Sequence, residues 1–273
     1  MRTMNPEITT VRGKLPGRTV AVFAGIHGNE PAGVLAVTKL IGALRIDAGT
    51  VHFVIANPKA VEQNVRFTEK NLNRCFINGN TGAVYEDGLA RELMKLLDGC
   101  DALLDLHGYN GPEDRPFLIC EKESFDLACK FNFEIISSGW SVSEPGGTDG
   151  YMHAQNKIAI CAECGSNFYP EKYIGLAEKT ILQFLGYFGI IASLPEDTLR
   201  SRLHINVDRF IKKTSSRFAF DKEYQNFDKL ETGKIFATDG EIKYVAREGE
   251  YIIFHRPNTE IGQEACVIGR LIK

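Results

Sequence analysis

A few short stretches of this chain carry side chains able to do chemistry: His27-Gly28-Asn29-Glu30, Arg66, Asn73-Arg74, Asp105-Leu106-His107-Gly108 and Glu163. His27 and Glu30 stand three residues apart, so one tight turn can offer an imidazole and a carboxylate to a single divalent metal. His107 is a third donor of suitable type, and two His plus one Glu with an open fourth position is the donor set of a catalytic zinc site. Asp105 precedes His107 by two residues, which on a strand puts both side chains on one face. There its carboxylate can bond the free ring nitrogen and fix the tautomer. Glu163 is a candidate base toward a bound water and acid toward a leaving amine. Arg66 and Arg74, with Asn73 beside them, carry guanidinium forks suited to a carboxylate or a polarised carbonyl. Taken singly, each residue has a plainer reading as a hydrogen-bonded loop histidine, a helix cap or a solvated charge. Their joint placement favours the metal.

The elements expected to position these groups follow from apolar runs and their breaks. Thr19–Phe23 reads as a buried strand ending at the His27 turn, and a helix with Pro31 in its first turn follows to about residue 41. Val51–Ala56 is a second buried strand, closed by Asn57-Pro58, and residues 58–84 read as a long polar loop holding Arg66, Asn73 and Arg74. Leu89, Leu93, Leu96 and Leu97 share a helical face over 85–98. Strands are expected at Ala102–Leu106, Phe117–Cys120 and Ile158–Ala162, leading into His107 and Glu163, with 137–150 as loop and a helix over about 171–188. Residues 1–18 suggest an edge strand. His27 and His107 both follow buried strands, so both should emerge at the carboxyl edge, where ligands bind in open α/β sheets. His153, just after the loop, is a candidate to face the site, whereas His52, His204 and His255 sit in alternating strand patterns and read as structural. From residue 195 short alternating segments separated by Gly turns replace the longer units. The expected division is 1–200 and 201–273.

Composition narrows the partners. A chain of 273 residues with net charge −3 and pI near 6.1 gives no reason to expect nucleic acid. No apolar run approaches the ~20 residues a membrane span needs, and the N-terminus lacks the apolar core of a signal peptide. Seven scattered cysteines point to a reduced, cytoplasmic protein rather than a disulfide framework. Cys161-Ala162-Glu163-Cys164 has the spacing of a dithiol, but no second pair makes it a zinc ribbon, and a core role is the expectation.

The series His27-Gly28-Asn29-Glu30, Asn73-Arg74, Asp105-Leu106-His107-Gly108 and Glu163, with Ile253–Asn258 and Ile261–Ala265 near the end, resembles the succinylglutamate desuccinylase/aspartoacylase family. The resemblance spans nearly the whole chain. It implies a three-layer zinc carboxypeptidase-like domain with a mixed central sheet, followed by a small C-terminal all-β domain. It further implies one Zn2+ per chain held by His27, Glu30 and His107, Glu163 as general base and acid, and Arg66 polarising the substrate carbonyl. Asn73 and Arg74 would hold a substrate carboxylate. The implied reaction is hydrolysis of the amide of a small N-acyl amino acid. The expected partner is thus a small anionic molecule, neither nucleic acid nor membrane, with a homo-oligomer left open. A zinc carboxypeptidase on short peptides and a zinc-binding module without catalysis are the alternatives. Two positions depart from the family pattern: Asn71 stands where an Asp is usual, and His153 where aspartoacylases carry a substrate-gripping Arg.

Overall fold

β-branched and aromatic runs set the strands, and their alternation decides which helix each face meets. The computed structural model describes residues 5–111, 115–140, 145–192 and 202–272. In chain order come β1 (Glu7–Arg12), β2 (Leu15–Ala24), α1 (Pro31–Ala43), β3 (Ala48–Ile55), α2 (Pro58–Gln63) and α3 (Tyr85–Asp98). β4 (Ala102–Tyr109), β5 (Phe117–Ile119), α4 (Phe125–Ala128), β6 (Ile135–Ser138), α5 (Thr148–His153), β7 (Ile158–Ser166) and α6 (Ile174–Tyr187) follow. The C-terminal part adds β8 (Leu203–Lys212), β9 (Phe218–Phe220), β10 (Asp228–Lys229), β11 (Ile235–Asp239), β12 (Ile242–Val245), β13 (Glu250–Ile253) and β14 (Glu264–Leu271).

Among the described residues eleven strands form one sheet in the order β1-β3-β2-β4-β7-β5-β6-β8-β14-β13-β10, and β12-β11-β9 form a second. The pairs β2/β3, β2/β4 and β4/β7 are parallel, β1 and β5 lie antiparallel to β3 and β7, and the strands after β8 are antiparallel. This is the expected mixed sheet with helices, continued by a C-terminal antiparallel region. On β2, Val20, Val22 and Ala24 pack toward α1 and α6, while Ala21 and Phe23 pack toward Leu89, Leu93 and Leu97 of α3. A strand buried on both faces in this way must be apolar throughout, as β2 is from Val20 to Ala24.

Where the structure differs, local chemistry explains it. Within the stretch expected as loop, Asn57 caps α2 by accepting from Ala60 N–H, with Pro58 in the first turn. A short 3-10 turn covers Leu72–Arg74. β6 begins just ahead of the stretch expected as loop at 137–150 and runs into it, and α5 occupies its end. Strands β4 and β7 run on through His107 and Glu163 instead of stopping before them. The expected division at 200/201 lies outside the described residues. No helix is long and apolar enough to cross a membrane among the described residues.

Candidate active site

Parallel pairing aligns the chemistry. Phe23 is opposite Asp105 and Ala24 opposite Leu106, so the turn after β2 and the end of β4 reach the same edge. His107 is in register with Glu163 on β7, and Asp105 with Cys161. The turn after β2 is closed by a Glu30 N–H bond to His27 O, and Gly28 packs so tightly on the Ala60 backbone that a side chain would clash.

His27, Glu30 and His107 are each at least 96% buried. Nδ1 of His27 lies 2.8 Å from Glu30 Oε1, and Nδ1 of His107 lies 3.0 Å from Oε2. Gly108 N–H donates to Oε2 and Arg66 Nη1 to Oε1, both at 3.1 Å. Two ring nitrogens and two N–H donors therefore converge on one buried carboxylate. Burial alone would raise the Glu30 pKa, but the two imidazoles overcome it and hold the group far below the ordinary carboxylate range. The donor atoms of His27, Glu30 and His107 all lie within 4.8 Å of one another. Two imidazoles and a carboxylate gathered at this spacing on the floor of a cleft fit a divalent ion of the zinc type. The two rings have opposite electrostatics. Burial lowers the His27 pKa, against Glu30, whereas for His107 the Asp105 carboxylate outweighs burial and raises it well above the ordinary value.

The outer ring nitrogens are held too. Asn71 Oδ1 is 3.0 Å from His27 Nε2, and Asp105 Oδ2 is 3.0 Å from His107 Nε2 in a close contact that is not an aligned hydrogen bond. Thr148 Oγ1 donates to the same Asp105 oxygen at 2.5 Å. Above this floor opens a cleft of about 1100 Å³ lined by Arg66, Asn73, Arg74 and Glu163. Asn73 is partly committed, because its Oδ1 accepts Thr148 N–H at 3.1 Å and so ties the loop to α5.

The structure thus gathers His27, Glu30, Arg66, Asn73, Arg74, Asp105, His107 and Glu163, but it does not bring His153 to the cleft. Its Nε2 contacts Ser124 Oγ at 3.3 Å and Ala159 O at 3.2 Å, one turn along α5 from the cleft-lining Asp149. His255, expected to be structural, lines the cleft while its ring lies tilted against Phe220 with centroids 4.3 Å apart. His52 and His204 bond to Thr10 and Ser138 as strand partners. Cys161 belongs to the cluster around Tyr109 and Cys164 to the core under α6. Three residues apart on a strand, the two thiols face opposite ways and cannot join. Sequence reasoning missed the far wall, where Tyr109, Trp140 and Phe254 pack together and Arg256 lies 4.8 Å over the Phe254 ring. Arg256 falls in a C-terminal segment that matched the family series, yet nothing in its pattern shows which way that loop faces.

Fold and donor set together define a class: α/β proteins with a His/Glu/His group able to hold a metal at the carboxyl edge of a mixed sheet. Within that class the chain belongs to the succinylglutamate desuccinylase/aspartoacylase family, a family of deacylating hydrolases. Its catalytic-domain model matches residues 16–182, and the AstE/AspA barrel-sandwich hybrid domain matches residues 205–269. Succinylglutamate desuccinylase of Vibrio cholerae is 24% identical over 279 residues, covering 92% of this chain and 80% of that protein. The Pseudomonas paraeruginosa enzyme of the same name is 30% identical, covering 96% of this chain and 87% of that protein. Among solved structures, Vibrio parahaemolyticus succinylglutamate desuccinylase matches with a TM-score of 0.78 at 22% identity, covering 97% of this chain and 86% of that chain. The ectoine utilization protein EutE (DoeB) of Ruegeria pomeroyi, in a product-bound structure, matches with a TM-score of 0.77 at 20% identity, covering 96% and 88%.

Proposed function

We propose that this protein is a zinc-dependent amidohydrolase that removes the acyl group from a small N-acyl amino acid or a similar anionic amide. The observation that carries this reading is the convergence of both Nδ1 atoms on the Glu30 carboxylate, beside Glu163, at the floor of one cleft. His27, Glu30 and His107 would hold one zinc per chain. When bound, zinc supplies Lewis-acid polarisation of the scissile carbonyl and a water of lowered pKa. Glu163 takes the proton from the attacking water and returns it to the departing amine nitrogen. Arg66 donates to the carbonyl oxygen, and Asn73 with Arg74 holds a carboxylate of the substrate. Asp105 orients His107 through its outer nitrogen. The residues before and after 200/201 act as a catalytic unit and a β unit, and the β unit closes the far side of the cleft against long peptides. That closure disfavours a carboxypeptidase on long chains. The setting is cytoplasmic, and the partner is a small molecule rather than nucleic acid or membrane.

Elemental analysis of dialysed protein, paired with a hydrolysis screen across acetyl-, succinyl- and formyl-amino acids, tests the reading. One zinc per chain and release of free amino acid are expected. Glu163→Gln should keep the zinc and lose at least ~100-fold in kcat, the lower end of what a positioned acid–base group contributes. Turnover within tenfold of wild type would remove Glu163 from this role, and zinc bound without hydrolysis of any substrate would favour a binding module.

A further inference from the structure

We infer that Glu86, in the first turn of α3, is a positioning residue that sets both Arg66 and the outer support of His27; the inference rests on the site reading above. Glu86 is fully buried and touches none of the proposed ligands. Its Oε1 accepts from Thr68 N–H and Thr68 Oγ1, both at 2.7 Å, and from Asn57 Nδ2 at 3.3 Å. Its Oε2 accepts from Lys70 N–H at 3.2 Å, and Glu69 N–H is shared between the two oxygens at 3.4 and 3.3 Å. Three successive backbone N–H groups thus converge on one carboxylate, a concave anion nest that here binds the protein's own side chain.

What hangs from that segment gives Glu86 its part. Arg66, which reaches Glu30, lies two residues before Thr68, and Asn71, which holds His27 Nε2, lies one residue after Lys70. Asn57 caps α2 at the end of β3, so Glu86 joins loop, strand end and helix at one point. Burial alone would push the Glu86 pKa up, but the Thr68 and Asn57 hydrogen bonds outweigh it and keep the group ionised. The neighbouring Asp87 reinforces the clamp by accepting from Lys70 Nζ at 2.8 Å and Asn80 Nδ2 at 3.1 Å.

Glu86→Gln keeps the length of the side chain but sets an NH2 group against N–H donors. It should weaken zinc about tenfold, as loss of an outer support does, and raise KM for an N-acyl amino acid more than it lowers kcat. Amide exchange at Thr68, Glu69 and Lys70 should speed at least tenfold while Leu89–Leu97 keep their protection. Thr68→Val removes one donor and should move the same readouts less. Leu93→Ala, in the buried face of the same helix, should lower Tm yet leave zinc Kd and KM unchanged. Zinc Kd and KM within twofold of wild type in Glu86→Gln, or an equal change in Leu93→Ala, overturns the positioning role. If wild-type protein binds no zinc and hydrolyses nothing, the functional reading fails on its own. Unchanged exchange at 68–70 would then separately overturn the clamp.

Discussion

His27 and His107 turn the same ring nitrogen toward the same carboxylate, yet they are supported in different ways. His107 leans on Asp105, an anion two residues away on the same strand. His27 leans on Asn71, a neutral amide 44 residues away on a loop. A carboxylate behind an imidazole raises its basicity and its strength as a ligand, and a neutral amide does so less. Burial lowers the His27 pKa, whereas for His107 the Asp105 carboxylate outweighs burial and raises it. One arm of the site is therefore set by strand geometry and local charge, and the other by how well a distant loop is held.

The sharpest way to break this contrast is to remove the anion. Asp105→Asn keeps an acceptor for Thr148 but takes away the charge behind His107. Zinc Kd should rise about 100-fold, ~2.7 kcal/mol, at the upper end for an outer partner. Asn71→Ala should cost about tenfold, ~1.4 kcal/mol, by the same measurement. If the Asn71 variant loses as much as the Asp105 variant, the two arms are equivalent and the contrast fails. Asn71→Asp puts an anion behind both rings and should tighten zinc by roughly threefold. A weaker ion in that variant would mean that added charge beside Glu30 outweighs the gain in imidazole basicity.

The same division marks what could be read from the chain. The strand before His27, the shared sheet edge at which His27 and His107 emerge, and α3 from Tyr85 to Asp98 were all legible, because apolar runs and a leucine face state them directly. The continuation of β4 and β7 through His107 and Glu163 was not, since Gly108 and Gly165 suggest turns while partners across the sheet keep these strands extended. β6 is only Ile-Ile-Ser-Ser, too short for a period to show. The direction of His153 depends on where α5 enters, and the far wall with Arg256 depends on a loop between β13 and β14. Both are set by tertiary packing, as is the clamp at Glu86, whose partners lie 16 to 18 residues away except for Asn57.

A second buried carboxylate shows what such a clamp looks like away from the site. Asp239 accepts from Thr214 N–H at 2.6 Å, Thr214 Oγ1 at 2.7 Å and Ser215 N–H at 3.2 Å, and also from Ser215 Oγ. Like Glu86 it gathers backbone donors of a distant turn, but that turn carries none of the proposed ligands. The Ser215 and Thr214 hydrogen bonds lower its pKa from 3.8 to about 2. A carboxyl depressed in the folded state adds stability that is fully present above the unfolded value near 4 and disappears as pH falls through about 2. Asp239→Asn should therefore lower Tm at pH 7 and flatten its dependence between about pH 4 and 2, with zinc Kd and KM unchanged. Thermal scans across that range, set beside the same scans on Glu86→Gln, separate a clamp that only stabilises from one that also aims the site. A change in zinc Kd in the Asp239 variant would mean that any loosened turn disturbs the ligands, and the special place given to the 68–70 loop would be lost.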